Sequence, residues 1–560
     1  MRATLLGVLF PSSILLAQVT DQQFAAIKKE GLEHSRVMAH LDHLVNRIGP
    51  RLTSSDNLTD ACEWARDTFA SFGIDNARLE QWGTFPVGFN RGPWFGRMTK
   101  PESMELVFNT QAWTAGTNKP SRGPLVMAPK DADELAKTRG FLANTWLLMP
   151  PRTGGRMTAE EQQFRQQLTA ALEQGGGFGL VTGAGGRSGD LLLTGGQQTA
   201  DFAKLPTVPS VQLRADCYEK VAKFLADNIS VEVEFDIRNH FKKGPIELYN
   251  VLADIPGTAL PDEYVVVSGH LDSWDGATGT TDNGTGTATT IEAARILMAI
   301  GAKPRRTIRF MLWSGEEQGL LGSRAWVNKH KDEMTKYSAC LVHDGGTNYL
   351  AGIAGMKEMH PQLQTVFAPV LALNPDMPFA IRDIEAFTPI GSDHESFTAA
   401  GVPGFFWDQK GRANYTHTHH TQYDTFDAAI PEYQMHSSVV IAIGALGIAN
   451  LPDLLTRENM KVNNRFGGGG AARGGAGAPG GRRLGVLLDE DVGTTITEVT
   501  DDGLAKKAGL KAGDVVLRIG STAIKGQGDV RDAITNGPAK TTVTVKRDGK
   551  ELTVEVTFDQ

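Results

Sequence analysis

Acidic residues and histidines follow several short apolar segments of the sequence, in a pattern that could bind metal ions. The segment VVVSGHLD ends with His270 and Asp272, RFMLWSGEE ends with Glu316 and Glu317, and ACLVHD ends with Asp344. Each apolar segment has the length and composition of a buried strand. A set of polar residues at strand ends is typical of a binding site rather than of a core.

Two further segments add donors of the same kind. Asp282 lies in TDNGTGTATTIEAARIL, directly before a predicted helix, and THTHHTQYDT contains His417, His419 and His420. Two imidazoles and three carboxylates form a ligand set that suits zinc, or cobalt or manganese. If one carboxylate bridges, the set can hold two ions about 3.5 to 4 Å apart. The sequence therefore predicts a pair of metal ions.

The adjacent glutamates allow a division of roles. Glu317 would bind a metal, whereas Glu316, without a metal bond, would take a proton from the water between the ions. Metal binding brings the pKa of that water to near 7, and a general base contributes about a hundred- to ten-thousandfold in rate. The predicted chemistry is hydrolysis by a metal-bound hydroxide with Glu316 as the general base.

The fold must bring these strand ends together. Strands alternate with helices from residue 245 to about residue 460, which predicts an open α/β sheet, mixed in strand direction, with helices on both faces. Ligands of such sheets bind beyond the carboxyl ends of the strands. The apolar run VVIAIGALGIA is too short to span a membrane, so we expect a buried final helix there.

Composition limits the function classes. Hydrophobic residues make up 41% and charged residues 21% of the 560 residues, which argues against a disordered chain and against a polytopic membrane protein. The net charge of −8 argues against a nucleic-acid-binding protein. The three cysteines form no Cys-x-x-Cys pair, so metal ligands must come from His, Asp and Glu.

The chain is long enough for about three or four domains. MRATLLGVLFPSSILLAQ reads as an export signal, which predicts a secreted or periplasmic protein without a transmembrane anchor, and GGGGAARGGAGAPGG reads as a flexible linker. The predicted domains are a signal peptide (1–17), a catalytic domain in two segments (18–122 and 245–460), a β-rich insert (123–244), a Gly-rich linker (461–482) and a C-terminal domain (483–560).

Five of these segments together resemble a known family. GHLDSWD, TTDNGTG, WSGEEQGLLGS, HDGG and HTQYDT are similar, in wording and in order, to the motifs of the co-catalytic di-zinc exopeptidases, the secreted aminopeptidase family that includes the carboxypeptidase Q branch. LPTVPSVQLRADCYEKVAKFL resembles part of the protease-associated insert of secreted peptidases. The resemblance implies the zinc exopeptidase fold, two zinc ions per chain and a peptide substrate. The resemblance does not decide whether the chain forms a homodimer.

The resemblance also implies a role for each ligand. His270 and Asp344 would bind one zinc ion, Glu317 and His420 the other, and Asp282 would bridge the two. His420 is chosen because the family's ligand stands four residues before an Asp-Thr pair, and His419 is the alternative.

Other residues are implied as support. Asp272 would orient the His270 imidazole through a hydrogen bond, and the peptide bond between Asp282 and Asn283 would be cis. The family's simpler aminopeptidases have a tyrosine near the position of TPIGSDHESF that stabilises the tetrahedral intermediate, and this segment contains none. The oxyanion stabiliser is therefore unassigned. Asp393 and His394 in this segment either contact the substrate or support the loop.

The C-terminal segment resembles a bacterial PDZ domain. Leu484-Gly485-Val486-Leu487 stands at the position of the carboxylate-binding loop of such a domain. PDZ domains add a peptide strand to a sheet edge, so the expected partner is a peptide C-terminus.

The predicted activity is that of a zinc-dependent exopeptidase acting on small peptides. Whether it is an aminopeptidase, a carboxypeptidase or a dipeptidase stays open, because the three reactions share their metal ligands. The alternatives are a non-catalytic peptide-binding or scaffold relative of the same fold and a single-zinc acyl transferase similar to glutaminyl cyclase.

Overall fold

The architecture is known from a computed structural model. It describes residues 19–150, 158–184 and 190–463 and, nearer the C-terminus, residues 484, 486–488, 494–499, 504–524, 530, 533–534, 538, 540–547 and 549–558. The chain divides into two compact units, Met1–Ala472 and Arg473–Gln560. The predicted signal peptide, the Gly-rich run at 467–481 and Gly485 of the predicted carboxylate-binding loop lie outside the described residues.

The first unit contains helices and strands in the following order. Its α-helices are α1 (Asp21–Glu33), α2 (Val37–Asp42), α3 (Asp56–Ser71), α4 (Ala132–Thr138), α5 (Ala159–Gly175), α6 (Ala215–Ala226), α7 (Thr285–Ala299), α8 (Leu321–Lys329), α9 (His360–Leu371), α10 (His394–Ala399), α11 (Tyr415–Thr418) and α12 (Pro431–Asn450). Its strands are β1 (Arg78–Lys100), β2 (Met104–Glu105), β3 (Phe108–Asn109), β4 (Ser121–Met127), β5 (Trp146–Leu148), β6 (Gly179–Gly183), β7 (Ser210–Leu213), β8 (Val231–Ile255), β9 (Leu260–His270), β10 (Arg306–Trp313), β11 (Tyr337–Val342), β12 (Tyr349–Gly355), β13 (Ala380–Asp383), β14 (Gly404–Phe406) and β15 (Asp408–Lys410).

A mixed sheet forms the centre of the first unit. Four strands run parallel in the order β14-β11-β9-β10, and β8 pairs with β10 in the antiparallel direction. The carboxyl ends of the four parallel strands therefore meet at one edge of the sheet.

Helices cover both faces of this sheet, because neighbouring strand residues face opposite sides. Val265 and Val267 pack in the core that includes helices α1, α2, α3, α7 and α12. Val266, between them, packs in a second core with Trp313 and Trp326, on the side of α8 and α10. The predicted α/β fold with helices on both faces is confirmed.

A long ribbon joins this sheet to the β-rich part of the chain. β1 and β8 pair from Arg78 with Leu252 to Lys100 with Glu232. Residues 231–235, at the start of β8, also pair with β4, and β4, β5, β6 and β7 continue the sheet as parallel strands. The predicted boundaries of this insert, 123 and 244, stay predictions.

The final helix of the first unit is a core element. In α12 every residue from Gln434 to Ala449 except Met435 is buried. Beyond it, Phe387 donates a backbone hydrogen bond to Lys461 and accepts one from Asn463, so these two residues at the start of the predicted linker still contact the first unit. No helix among the described residues combines the length and the apolarity needed to cross a bilayer.

The second unit is a small β domain. β16 (Val486–Leu488) pairs antiparallel with β17 (Ile496–Val499), and β18 (Val515–Ile519) lies between β19 (Thr522–Ala523) and β20 (Lys540–Arg547), which pairs with β21 (Lys550–Thr557). One short helix, α13 (Leu504–Lys507), contributes Ala505 to the core of the unit. Asp514, 1% exposed, anchors β18 by accepting two hydrogen bonds from the Arg547 guanidinium.

Candidate metal centre

The predicted ligands lie at the carboxyl edge of the parallel strands. His270 is the last residue of β9, Glu316 and Glu317 follow β10, and Asp344 follows β11. Asp282 lies in the kinked turn Thr280–Gly284 that leads into α7, where the backbone of Asp282 and Asn283 is not helical. The strands thus deliver these side chains to one place, because each chain segment leaves the sheet at the same edge.

One group of donors surrounds the His270 imidazole. Its Nε2 atom lies 3.2 Å from Asp282 Oδ1, 3.6 Å from Asp344 Oδ1 and 3.9 Å from Glu316 Oε2. His270, Asp282 and Asp344 are all buried, and their donor atoms are close enough together to bind one ion. This is the first of the two ligand groups that the sequence predicts.

A second group lies on the other side of Asp282. His420 Nε2 is 3.0 Å from Asp282 Oδ2 and 2.9 Å from Glu317 Oε2. His419 Nε2 is farther from Asp282 Oδ2, at 3.6 Å. Asp282 thus turns one oxygen toward each histidine group, which is the arrangement that a bridging ligand requires. Both histidines reach this group, and His420 lies nearer to the carboxylates.

The tautomer of His270 is fixed by its neighbour. The Nδ1 atom lies 3.0 Å from the backbone carbonyl of Asp272, and a carbonyl can only accept, so Nδ1–H donates to it. The lone pair on Nε2 is then free for a metal ion.

The Asp272 carboxylate has contacts on both sides. It lies 3.7 Å from His270 Nδ1 and accepts hydrogen bonds from the backbone N–H groups of Glu316 and Glu317, each at 3.2 Å, and from Thr53 Oγ1 at 3.0 Å. Asp272 thus contacts the His270 imidazole through its carbonyl and its carboxylate, and the carboxylate also fixes the turn that carries the two glutamates.

The electrostatics of the cluster favour cations. Burial raises the pKa of Glu316 well above its ordinary value, and burial with the charge of Asp282 raises that of Glu317 to about 7. Burial would lower the pKa of His420, but the carboxylates of Glu317 and Asp282 raise it to about 11. The Glu316 carboxylate likewise helps to raise the pKa of His270 well above its ordinary value against burial. Carboxylates are thus crowded more closely than they would tolerate without positive charge among them.

The peptide bond between Asp282 and Asn283 is cis, as the resemblance implies, and this expectation is confirmed. The Asn283 side chain donates to the carbonyl of His343 at 2.8 Å and accepts from the amide of Gly286 at 3.0 Å. Asn283 therefore attaches the segment that carries Asp282 to both the β11 end and the first turn of α7.

Two supporting residues have no counterpart in the sequence prediction. Asp424 accepts hydrogen bonds from the amides of Thr281, at 2.5 Å, and Asp282, at 3.2 Å, and burial raises its pKa to about 7. The Asp-Thr pair in HTQYDT served only to choose His420 and could have drawn attention to Asp424. Arg51 is fully buried and donates only to backbone carbonyls, so no pattern of side chains could have revealed it.

Three more residues line or support the site. Asp393 and His394, at the start of α10, are buried, and burial raises the pKa of Asp393 to about 7 and lowers that of His394 to about 4. Tyr415 packs against His419 with ring centroids 4.8 Å apart. A phenol therefore stands beside the cluster, although the segment TPIGSDHESF contains no tyrosine.

Comparison with known proteins agrees with this geometry. Residues 250–443 match the model of peptidase family M28, and residues 479–558 match the PDZ domain model. The chain contains a peptidase family M28 domain. The matched domains indicate a metallopeptidase, a hydrolase, with a C-terminal PDZ domain. The chain is 27% identical over 434 residues to carboxypeptidase Q of Mus musculus, covering 76% of this chain and 88% of the mouse protein. It is 25% identical over 435 residues to carboxypeptidase Q of Homo sapiens, covering 76% of this chain and 88% of the human protein.

The fold of the M28 chain also matches a solved structure. A peptidase M28 precursor from Shewanella amazonensis SB2B superposes with a TM-score of 0.56 at 23% identity, covering 78% of this chain and 98% of that one. The predicted zinc exopeptidase fold is thus confirmed at the level of architecture.

Proposed function

We propose that this M28 chain is a secreted or periplasmic exopeptidase that uses two zinc ions to hydrolyse peptide bonds at the ends of small peptides. The observation that carries the proposal is the position of Asp282, whose two oxygens lie 3.2 Å from the His270 imidazole and 3.0 Å from the His420 imidazole. A carboxylate shared in this way by two ligand groups is suited to a pair of cations and has no use in an ordinary core.

The residues fit zinc ions. Glu317 Oε1 is buried and has no hydrogen-bond partner among the described residues, and His270 Nε2 faces the Asp282 and Asp344 carboxylates at 3.2 and 3.6 Å, as expected of atoms that share a metal ion. His270 and Asp344 would hold one ion, Glu317 and His420 the other, and Asp282 both. Bound zinc would lower the pKa of a coordinated water and polarise the scissile carbonyl.

Glu316 is the proposed general base. Its carboxylate points into the site, 3.9 Å from His270 Nε2, while its backbone amide donates to Asp272, so the turn holds the side chain in place. Burial raises the pKa of this carboxyl well above its ordinary value, and a general base of this kind is suited to proton transfer in the transition state. Glu316 would take the proton of the attacking water and then give it to the leaving amine.

The substrate class rests on kinship and not on the metal ligands. The relatives that cover most of this chain are carboxypeptidase Q proteins, whose name denotes removal of C-terminal residues. We therefore propose small peptides with free termini as substrates, and a peptide C-terminus as the partner of the PDZ domain. Aminopeptidase, carboxypeptidase and dipeptidase activities are separate outcomes of the test.

The test is hydrolysis of blocked and unblocked dipeptides and aminoacyl amides, with and without a chelator, by the wild type and by Glu316→Gln. We expect chelator-sensitive hydrolysis that falls at least a hundredfold in the variant, because the general base is lost. Glu292→Gln removes a different buried carboxylate, one that contacts Arg295 and His40 rather than the site, and should retain activity.

Other results would contradict the proposal. An unchanged rate in Glu316→Gln would remove that residue from the mechanism. Purified protein with two zinc ions but no hydrolysis of any peptide would indicate the scaffold alternative. A single ion, together with cyclisation of N-terminal glutamine, would indicate the acyl transferase.

A further inference from the structure

The loop that carries His420 is paired with a segment of the β-rich insert. We call residues 415–425 the histidine loop and residues 190–196 the insert segment. Thr194 donates its amide to the carbonyl of His420 at 2.8 Å, and Leu193 forms an antiparallel bridge with Thr421. A ligand of the proposed metal centre is therefore hydrogen-bonded, through its own backbone, to a part of the chain more than 200 residues away.

Gln422 makes this pairing specific. Its backbone N–H donates to the carbonyl of Leu192 at 3.2 Å. Its side-chain Oε1 accepts from the backbone N–H of Leu192 at 2.7 Å, and its side-chain Nε2 donates to the carbonyl of Asp190 at 2.7 Å. One residue thus forms three hydrogen bonds with the insert segment, and all three are to main-chain groups. The side chain continues the pairing where the backbone of the histidine loop turns away.

The backbone of His420 needs such support. Its φ angle is +55°, in the left-handed region that a residue with a side chain enters at a cost in free energy. Such a conformation persists only when the surrounding structure holds it. In His420 the conformation aims Nε2 at Asp282 and Glu317, and the bond from Thr194 to its carbonyl is one of the contacts that hold it.

The insert segment is itself anchored on its other side. Gln111 donates its side-chain amide to the carbonyl of Leu193 at 3.1 Å, and Ala112 donates its backbone amide to the carbonyl of Gly195 at 2.8 Å. Leu191 and Leu192 are buried. The segment is therefore a fixed support for the histidine loop rather than a strand end that follows it.

We propose that Gln422 is a positioning residue through which the insert segment holds His420 at the metal position formed with Asp282 and Glu317. The insert then acts directly on that one position, and the position formed by His270 and Asp344 is linked to it only through Asp282. This inference rests on the proposed two-metal function.

The test compares zinc binding by full-length wild type, Gln422→Ala and Gln362→Ala. Gln362 is a matched control, because its side chain also donates to one backbone carbonyl, of Leu454, and accepts from one backbone amide, of Thr456, and these partners belong to no part of the site. Zinc affinity is measured by competition with a chromophoric chelator, and backbone exposure by hydrogen exchange at Thr194 in the metal-free protein.

We expect Gln422→Ala to bind one of its two zinc ions about ten- to a hundredfold more weakly, which is the usual effect of removing a group that supports a metal ligand. The other ion should bind as in the wild type, the Thr194 amide should exchange faster, and Gln362→Ala should bind both ions normally. Gln422→Glu keeps the acceptor for Leu192 and loses the donor to Asp190, so it should have intermediate affinity. Gln422→Glu also tests the inference if the Gln422→Ala variant does not fold.

Two results would overturn the inference, and each is distinct from failure of the proposed function. If both Gln422 variants bind two zinc ions with wild-type affinity, Gln422 positions nothing. If both ions weaken equally in Gln422→Ala and in Gln362→Ala, the effect is general destabilisation. Wild-type protein that binds fewer than two ions would instead contradict the proposed function.

Discussion

Arg51 offers a direct test of how the loop between His270 and Asp282 is held in place. This residue is 0% exposed and has no carboxylate partner within hydrogen-bond distance. Its Nε donates to the carbonyl of Leu271 at 2.7 Å and its Nη2 to that of Gly279 at 2.8 Å. Nη1 donates to two further carbonyls, of Gly49 at 3.0 Å and Thr278 at 2.9 Å. We predict that Arg51→Met destabilises the first unit.

The magnitude follows from these four carbonyls. Those of Leu271 and Gly279 are bonded in buried surroundings, whereas the bonds to Gly49 and Thr278 are only partly buried and water can replace the guanidinium there. A buried acceptor left without a donor costs about 1–3 kcal/mol, so the two buried carbonyls together cost about 4 kcal/mol. Arg51→Lys keeps the charge and some of the donors, and should lose about half as much.

The assay is urea unfolding of the metal-free full chain followed by tryptophan fluorescence. All nine tryptophans lie at or before Trp407, so the signal reports on the first unit alone. The control is Arg47→Met at a side chain that is 69% exposed, where we expect a change below about 1 kcal/mol. An Arg51→Met protein within about 1 kcal/mol of the wild type would refute the structural role given to the four bonds.

Three further predictions concern other parts of the chain. Asp424→Asn should weaken zinc binding about tenfold in a chelator competition. The new side-chain NH₂ group cannot accept a hydrogen bond, so one of the two backbone N–H groups, of Thr281 or Asp282, loses its acceptor. Unchanged affinity would contradict this prediction. In the PDZ unit, hydrogen bonds from Arg547 lower the pKa of Asp514. The ionised Asp514 therefore contributes about 2 kcal/mol to the free energy of unfolding. This contribution is present above the unfolded-state pKa of about 3.9 and is lost as the pH falls through the folded-state pKa. Calorimetry should thus find Asp514→Asn destabilised at pH 7, with a deficit that shrinks as the pH falls below about 3.9, and a deficit that does not change with pH would be the contrary result. Deletion of residues 464–560 should change dipeptide turnover less than about twofold, because the backbone bonds to Phe387 at 461 and 463 are retained, and loss of turnover would make the PDZ domain part of the catalytic machinery.

The convergence of His270, Glu317 and Asp344 could be predicted because each stands at or just after the carboxyl end of a strand, whereas His420 was chosen only by its resemblance to a family motif. Parallel strands deliver their carboxyl ends to one edge, so the residues after β9, β10 and β11 had to meet there once the α/β alternation was recognised. The His-x-Asp spacing indicated a hydrogen bond from Asp272 that orients His270, and the structure places the Asp272 carbonyl 3.0 Å and its carboxylate 3.7 Å from His270 Nδ1.

The remaining contacts have no local signal in the sequence. Arg51 is about 220 residues from the loop it supports, and among the described residues its guanidinium donates only to main-chain carbonyls, which every residue possesses. The pairing of Gln422 with Leu192 is likewise a main-chain contact between distant segments. Pairing of this kind depends on the register of the whole β1/β8 ribbon that carries the insert, and a side-chain pattern does not encode it.

The central claim is that Asp282 is shared by two metal ions. The most direct measurement is a crystal structure of zinc-loaded protein with anomalous data collected on both sides of the zinc absorption edge. The account predicts two zinc peaks about 3.5 to 4 Å apart, one beside His270 and Asp344 and one beside Glu317 and His420, with Asp282 between them. A single peak, or zinc bound away from Asp282 in fully active protein, would contradict it.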